Sequence, residues 1–170
     1  DGSQSFTRLG AGEIGGKAEG LRLIRDEILP HFGDDVSPFF DVGVPNLTVC
    51  STEVFDDFME LNRLTDLVES TPPDDRIAHA FQRAQFPPEW VGDLRAIAAQ
   101  VHTPLAVRSS SLLEDHLDHP FAGVYDTKMI PNAELEEDAR FRRLIEAVKF
   151  VYASTFFTGA REYLQTIGLP

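Results

Sequence analysis

Apolar residues recur at helical spacing in several parts of the chain. After a glycine-rich stretch, Leu21, Ile24 and Ile28 lie three or four residues apart with charged residues between them, and Pro30 follows. This spacing predicts a helix that carries the three apolar side chains on one face and ends at Pro30.

Further helical patterns follow in the middle and at the end of the chain. Ser51 or Thr52 can cap the next helix, helical segments flank the Pro87-Pro88 pair, and a last helix starts at Thr158 and closes at Gly168. The residues expected to face the core are Val54, Phe55, Phe58 and Leu61, then Leu94, Ile97 and Ala98, then Phe141, Leu144, Ile145, Val148, Val151 and Tyr152 of a long helix. The opposite face of that long helix carries Arg142, Arg143, Glu146 and Lys149.

Short extended segments lie between these helices. Asn46–Cys50 and Leu105–Arg108 read as strands, and Phe121–Ile130 reads as an extended segment with Gly123 at a turn or bulge. Helices and strands do not alternate regularly, which favours an α+β fold. A chain of 170 residues suits a single domain over residues 1–170.

Composition excludes some classes of partner. Lysine and arginine total 15 against 28 acidic residues, a net charge of −13, which argues against nucleic acid and against an anionic membrane as the main partner. Apolar runs are shorter than the roughly 20 residues that a membrane span requires.

The single cysteine, Cys50, lies in an apolar stretch and is expected to be a buried thiol in a cytoplasmic protein. The chain starts without Met and ends abruptly at Pro170, so further protein is expected beyond it.

The first candidate for chemistry is Gly15-Gly16-Lys17, at the start of a predicted helix. Glycines allow backbone N–H groups to approach an anion, the helix N-terminus adds positive potential, and Lys17 adds a point charge. Ala11 and Ala18 occupy positions that a Walker A loop reserves for Gly and Ser or Thr, so that motif is excluded. The alternative is a flexible glycine loop with an exposed lysine.

Two other segments offer groups for phosphate. Arg108 leaves a strand into the serine run 109–111, where its planar fork can bind two phosphate oxygens; the alternative is an ion pair with Glu114 or Asp115. Gly123 and Thr127 can line a phosphate through backbone and hydroxyl groups; the alternative is a bulged hairpin with a surface threonine.

A metal site is one interpretation of the loop that contains His116 and His119. Two histidines three residues apart in a Pro-containing loop lack a helix to fix them, and the sequence specifies no third ligand. A solvated loop is the better interpretation, and no metal ligand is predicted in this chain.

Taken in order, the segments resemble the ATP-binding domain of the phosphoenolpyruvate synthase and pyruvate phosphate dikinase family. Its motifs match at Gly15–Leu21, Val44–Thr52, Leu105–Asp115, Phe121–Thr127 and Val151–Tyr163, so the resemblance covers about residues 10–168. It implies a fold related to ATP-grasp, with a mixed sheet and flanking helices. This chain would be the front portion of that domain.

The resemblance also implies roles for individual residues. Lys17 and Arg108 would hold the phosphates of ATP, with Arg108 contributing to catalysis. Gly123 and Thr127 would belong to a glycine loop over the phosphates. The Mg²⁺ ligands, the phosphohistidine domain and the acceptor domain would lie beyond these 170 residues. The isolated chain is therefore expected to bind ATP weakly or not at all and to be inactive.

Two alternatives remain at this point. The same ATP domain serves other acceptors, such as rifamycin or glucan, in related phosphotransferases. A degenerate regulatory or binding module is the other alternative, because Tyr125 and the loop with His116 and His119 depart from the family pattern.

Overall fold

The computed structural model describes residues 6–31, 43–110 and 123–168. In chain order the elements within these ranges are β1 Phe6–Leu9, α1 Gly15–Leu23, β2 Leu47–Cys50, α2 Thr52–Leu61, α3 Thr65–Glu69, α4 Asp74–Arg83, α5 Pro88–Gln100, β3 Leu105–Arg108, β4 Thr127–Ile130, α6 Glu137–Ser154 and α7 Thr158–Thr166. A π-helical turn, Ile24–Ile28, and a 3₁₀ turn, Leu29–His31, extend α1.

The strands form two small sheets. β1 pairs with β2 in parallel, from Phe6 opposite Leu47 to Leu9 opposite Cys50. β3 pairs with β4 in antiparallel fashion, with Arg108 opposite Thr127 at the end of β3. Helices combined with two small sheets place the described part of the chain in the α+β class, as predicted.

The core forms around α6, which packs against α4, α5 and the β3–β4 pair. Its predicted apolar face is confirmed: Leu144, Ile145, Val148 and Val151 are buried, and Phe141 and Tyr152 pack against the core. From α2, α4 and α5 the core receives Val54, Phe58, Ile77, Phe81 and Leu94, each no more than 2% exposed. α6 therefore packs against β3 and β4 and supports both strands.

Two cations of α6 satisfy the C-terminal carbonyls of its neighbouring helices. Buried Arg140 donates to the Ala98 carbonyl of α5 at 2.9 Å and to the carbonyls of Glu134 and Leu135 at 2.8 and 2.9 Å. Lys149, expected on the solvent face, instead donates to the Ala84 carbonyl just after α4, and burial lowers the pKa of its ammonium group. Positive charge at a helix C-terminus is favourable because the last carbonyls have no intrahelical partner.

One sequence prediction of burial was wrong. Leu61 is 48% exposed, although it was expected to face inward. Ile24 and Ile28, which were predicted to share a helix face, are 38% and 44% exposed. Periodicity identifies residues that share a helix face, but it does not say whether another element covers that face. Thr158 is the first residue of α7 rather than its cap, and its hydroxyl donates to Asp74 at 2.8 Å.

Two elements had no clear sequence signal. They are β1 and α3, and α3, with five residues, is too short to show helical periodicity. Within the three described ranges, no helix is both long and apolar enough to cross a membrane.

Candidate functional site

The glycine-rich loop between β1 and α1 is held by side chains on both sides. The Arg8 guanidinium donates to the carbonyls of residues 10–12, at 3.1 Å for Gly10. The Glu53 carboxylate accepts from the N–H of Ala11. Glu13 and Thr52 exchange two hydrogen bonds, from Glu13 N to the Thr52 hydroxyl at 3.0 Å and from Thr52 N to the Glu13 carbonyl at 2.9 Å. The start of α2 therefore fixes the path of the loop into α1.

The N-terminus of α1 is joined to the end of β3 through Ser110. The Ser110 hydroxyl accepts from the N–H of Ala18 at 3.0 Å and donates to the carbonyl of Ile14 at 3.0 Å. Gly15 adopts φ +63°, and a Cβ built there would lie far inside 3.0 Å of the Ser110 carbonyl oxygen. Only glycine allows this approach, because other residues would both clash and be strained at that φ. The two segments that carry Lys17 and Arg108 are thus in direct contact.

Lys17 is the third residue of α1 and is half-buried. The first turn of α1 contains no acidic residue, whereas the first turns of α2, α4, α5 and α6 each contain at least one. The positive potential of this helix end is therefore not offset by a carboxylate in its own first turn.

Arg108 and Thr127 lie directly opposite each other across the β3–β4 pair, and both are exposed. Opposed residues of antiparallel strands project from the same face of the sheet. Among the residues that the structure describes, none forms a hydrogen bond or ion pair with the Arg108 side chain. The alternative partners considered for it, Glu114 and Asp115, lie outside the described residues.

Gly123 lies in the turn before β4 and adopts φ +82°, in agreement with its predicted position at a turn. The segment between Gly123 and Thr127 is attached to α6, because the N–H of Asp126 donates to the Ser154 hydroxyl at 3.1 Å. Buried Ser154 in turn donates to the Val151 carbonyl at 2.7 Å. Phe121 and Ala122, which precede Gly123 in the predicted motif, lie outside the described residues.

An open groove of about 520 Å³ runs along the glycine loop and the first turns of α1. It is lined by the loop and by side chains that flank it, namely Phe6, Arg8, Ala11, Gly12, Glu13, Ile14, Gly15, Gly16, Glu19 and Arg22. The lining does not include the residues that are predicted to bind phosphate, namely Lys17, Arg108, Gly123 and Thr127. The groove is therefore next to the predicted phosphate-binding residue Lys17 in the chain, but that residue does not line it.

The cations of this groove already have partners. Arg22 forms hydrogen bonds with Glu19 and, at 3.3 Å, with Asp26. The hydrogen bond from Arg22 lowers the pKa of the Glu19 carboxyl group. Arg8 is held by the loop carbonyls described above. Both arginines that line the groove are therefore engaged with groups of the protein.

The remaining candidates from the sequence are Cys50 and the pair His116 and His119. Cys50 is partly buried, and its burial raises the pKa of the thiol to about 11, which agrees with a structural thiol. In the described ranges no three His, Cys, Asp or Glu side chains are grouped so that they could hold a metal ion. His116 and His119 lie outside those ranges.

Sequence reasoning did not identify the roles of Ser110 and Arg8. A serine run after Arg108 was visible, but nothing in it distinguished the residue that bonds α1. The cap residue of α1, Ile14, has no side-chain oxygen, but this does not indicate which group contacts the helix start, because water can satisfy it as well.

A match to a known family agrees with this geometry. The family described as pyruvate phosphate dikinase, AMP/ATP-binding domain, matches residues 11–170. The chain therefore belongs to this family, which confirms the resemblance in the sequence. Neither the curated proteins nor the solved structures contain a significant match to the chain.

Proposed function

We propose that this chain is the front portion of the ATP-binding domain of a dikinase-type phosphotransferase, with an ATP-grasp-like fold. In this proposal ATP phosphorylates a histidine on a separate domain of the same polypeptide. That histidine then passes the phosphoryl group to pyruvate or a similar acceptor. Family membership supports ATP as the ligand, and the residue roles below are inferred from the donor groups.

The observation that carries the proposal is the contact between Ser110 and the N-terminus of α1. Because of that contact, Lys17 at the start of α1 and Arg108 at the end of β3 belong to neighbouring pieces of backbone. These residues are separated by about ninety positions in the chain. A triphosphate needs several donors and cations in one place, and the chain is otherwise strongly acidic.

Each proposed ligand group has a distinct role. The Arg108 fork binds two phosphate oxygens and stabilises charge on the transferring phosphoryl group. Lys17 adds a point charge at the positive end of α1. The turn at Gly123 and the hydroxyl of Thr127 approach the phosphates from the opposing strand, next to Arg108.

ATP-dependent phosphoryl transfer generally uses Mg²⁺ to neutralise phosphate charge. The residues described here do not provide a site for it, since no three suitable side chains are grouped. We therefore assign no Mg²⁺ ligand among the described residues and derive no step through the metal. The proposal places its ligands elsewhere in the polypeptide.

The test uses the full natural polypeptide that contains this domain, with Lys17→Ala, Arg108→Ala and the control Arg142→Ala. Arg142 is exposed on α6 and is not one of the proposed ligand groups. We expect the first two changes to reduce ATP-dependent phosphohistidine formation at least about a hundredfold, since each removes a charged phosphate contact. The control should leave it unchanged. Wild-type rates in both Lys17→Ala and Arg108→Ala would refute the site.

Two further readouts separate the finer parts of the proposal. Transfer of the phosphoryl group from the phosphohistidine to pyruvate, in preference to rifamycin or glucan, identifies the acceptor. ATP binding without any phosphohistidine in the full polypeptide would instead identify a non-catalytic binding module. Calorimetric titration of the isolated 170-residue chain should detect weak binding of Mg-ATP or none, and micromolar affinity would contradict that expectation.

A further inference from the structure

We propose that Ser110 is a positioning residue of the ATP site, which sets Lys17 in place relative to Arg108 through its two hydrogen bonds to α1. This inference rests on the proposed function and adds to it a residue whose side chain is already engaged with protein. Ser110 acts through Lys17 and is not assigned a contact with the nucleotide.

The two hydrogen bonds of Ser110 enclose the glycine–lysine segment. One partner, Ile14, immediately precedes Gly15-Gly16-Lys17, and the other, Ala18, immediately follows it. A single hydroxyl group therefore fixes both ends of the three residues that are proposed to meet the phosphates. Each bond has a length of 3.0 Å, which is ordinary hydrogen-bond geometry.

This arrangement bridges the first turn of the helix. Ile14 is the cap residue of α1 and Ala18 is its fourth residue, so in a regular helix the Ala18 N–H would donate to the Ile14 carbonyl. The Ser110 hydroxyl bonds to both of these groups from the segment just after β3, 92 residues away from Ala18 in the chain. The first turn of α1 is thereby joined to the segment that follows Arg108.

Other contacts restrict how this junction can move. Gly15 packs on the Ser110 backbone too closely for any side chain at position 15. Arg8, Thr52 and Glu53 hold the preceding loop from its other side. Ser110 is also only two residues beyond Arg108 along the chain, so its two bonds define the separation between the lysine-bearing helix and the arginine-bearing strand end.

The experiment measures ATP affinity and the urea midpoint of the full natural polypeptide for Ser110→Ala, Ser110→Thr and Ser110→Ala combined with Lys17→Ala. Asn62→Ala serves as a stability control, because Asn62 also bridges two backbone segments, with hydrogen bonds to Phe58 and Gln85, away from the site. We expect Ser110→Ala to weaken ATP binding about tenfold and Ser110→Thr, which keeps the hydroxyl, to recover most of that loss. Asn62→Ala should lower the urea midpoint without weakening ATP binding.

The double substitution distinguishes positioning from general stabilisation. If Ser110 acts through Lys17, adding Ser110→Ala to Lys17→Ala should weaken binding by less than a further twofold. Independent, multiplicative losses would overturn the inference, as would wild-type affinity in Ser110→Ala. Should Ser110→Ala fail to fold, Ser110→Cys, which keeps the size but bonds weakly, provides the same comparison.

Failure of this inference can be distinguished from failure of the proposed function. If Lys17→Ala and Arg108→Ala abolish ATP binding while Ser110→Ala leaves it at the wild-type level, the proposed ATP site is supported and the positioning role of Ser110 is wrong. If neither Lys17→Ala nor Arg108→Ala weakens ATP binding, the proposed site itself is wrong and the positioning role falls with it.

Discussion

Arg108 and Thr127 form the last opposed pair of the β3–β4 ladder, and both side chains are exposed. Directly opposed residues on antiparallel strands have Cβ atoms about 4.5–5.5 Å apart. In the proposed site, the Thr127 hydroxyl lies beside the base of the Arg108 side chain on the same face of the sheet. The pairing brings together two candidate residues that are nineteen positions apart in the chain.

The first prediction concerns Thr127→Val. Valine keeps the β-branched shape that a strand favours but removes the hydroxyl, so the urea midpoint should stay within experimental error of the wild type. Loss of one hydrogen bond to phosphate should weaken ATP binding in the full natural polypeptide about three- to tenfold, measured by calorimetry. Thr48→Val is the matched control, because Thr48 is an exposed strand residue of the other sheet. Equal affinities in the two variants would remove Thr127 from the site.

The second prediction concerns Gly15→Ala. A methyl group at position 15 would overlap the Ser110 carbonyl, and φ +63° is strained for alanine, so we expect a loss of at least about 3 kcal/mol in the free energy of unfolding. Gly92→Ala is the opposite case, because Gly92 lies inside α5 with open space around it. That change should raise stability by up to about 1 kcal/mol. Urea denaturation of both variants checks the prediction, and a harmless Gly15→Ala would contradict the contact between α1 and β3.

The third prediction concerns Arg140→Met on α6. Methionine fills similar space but leaves the carbonyls of Ala98, Glu134 and Leu135 without their donor. We expect the free energy of unfolding to fall by about 3 kcal/mol. Arg142→Met, on the exposed face of the same helix, should change it by less than about 0.5 kcal/mol. Similar losses in the two variants would show that the carbonyl contacts of Arg140 do not matter for stability.

The fourth prediction concerns the reactivity of Cys50. With the thiol pKa at about 11, only about one thiol in a thousand is ionised at pH 8, against about a quarter at the usual pKa near 8.5. Alkylation by iodoacetamide at pH 8 should therefore be more than about a hundredfold slower in native protein than in urea-unfolded protein. Because Cys50 is the only cysteine, mass spectrometry of the whole chain reports it directly. Equal rates would contradict its burial.

The same thiol contributes to the dependence of stability on pH. Its pKa is higher in the folded chain than in the unfolded chain, so the folded state holds the proton longer as the pH rises. This contribution is fully present below about pH 8.5 and is lost as the pH rises towards 11. Cys50→Ser should flatten the decline of the urea midpoint between these values. An unchanged slope would show that Cys50 is not the group responsible.

Periodicity and capping signals predicted most of the regular structure. The long helix α6, strand β3 and the glycine that closes α7 were all predicted from the pattern of apolar residues and turn formers. The same signals did not identify β1 or the short helix α3, and they did not show that Leu61 is exposed. Whether a helix face is covered depends on elements that are distant in sequence.

The sequence by itself determined which residues have the right chemistry for phosphate: the glycine–lysine pair, the arginine at a strand end and the turn with its threonine. Their order along the chain also determined the family, which the match over residues 11–170 confirms. Only the tertiary structure decided that Ser110 bridges the first turn of α1 from the segment after β3 and that Arg108 lies opposite Thr127. The physical reason is that local sequence selects backbone conformation and side-chain chemistry, whereas contacts between distant segments depend on how the whole core packs.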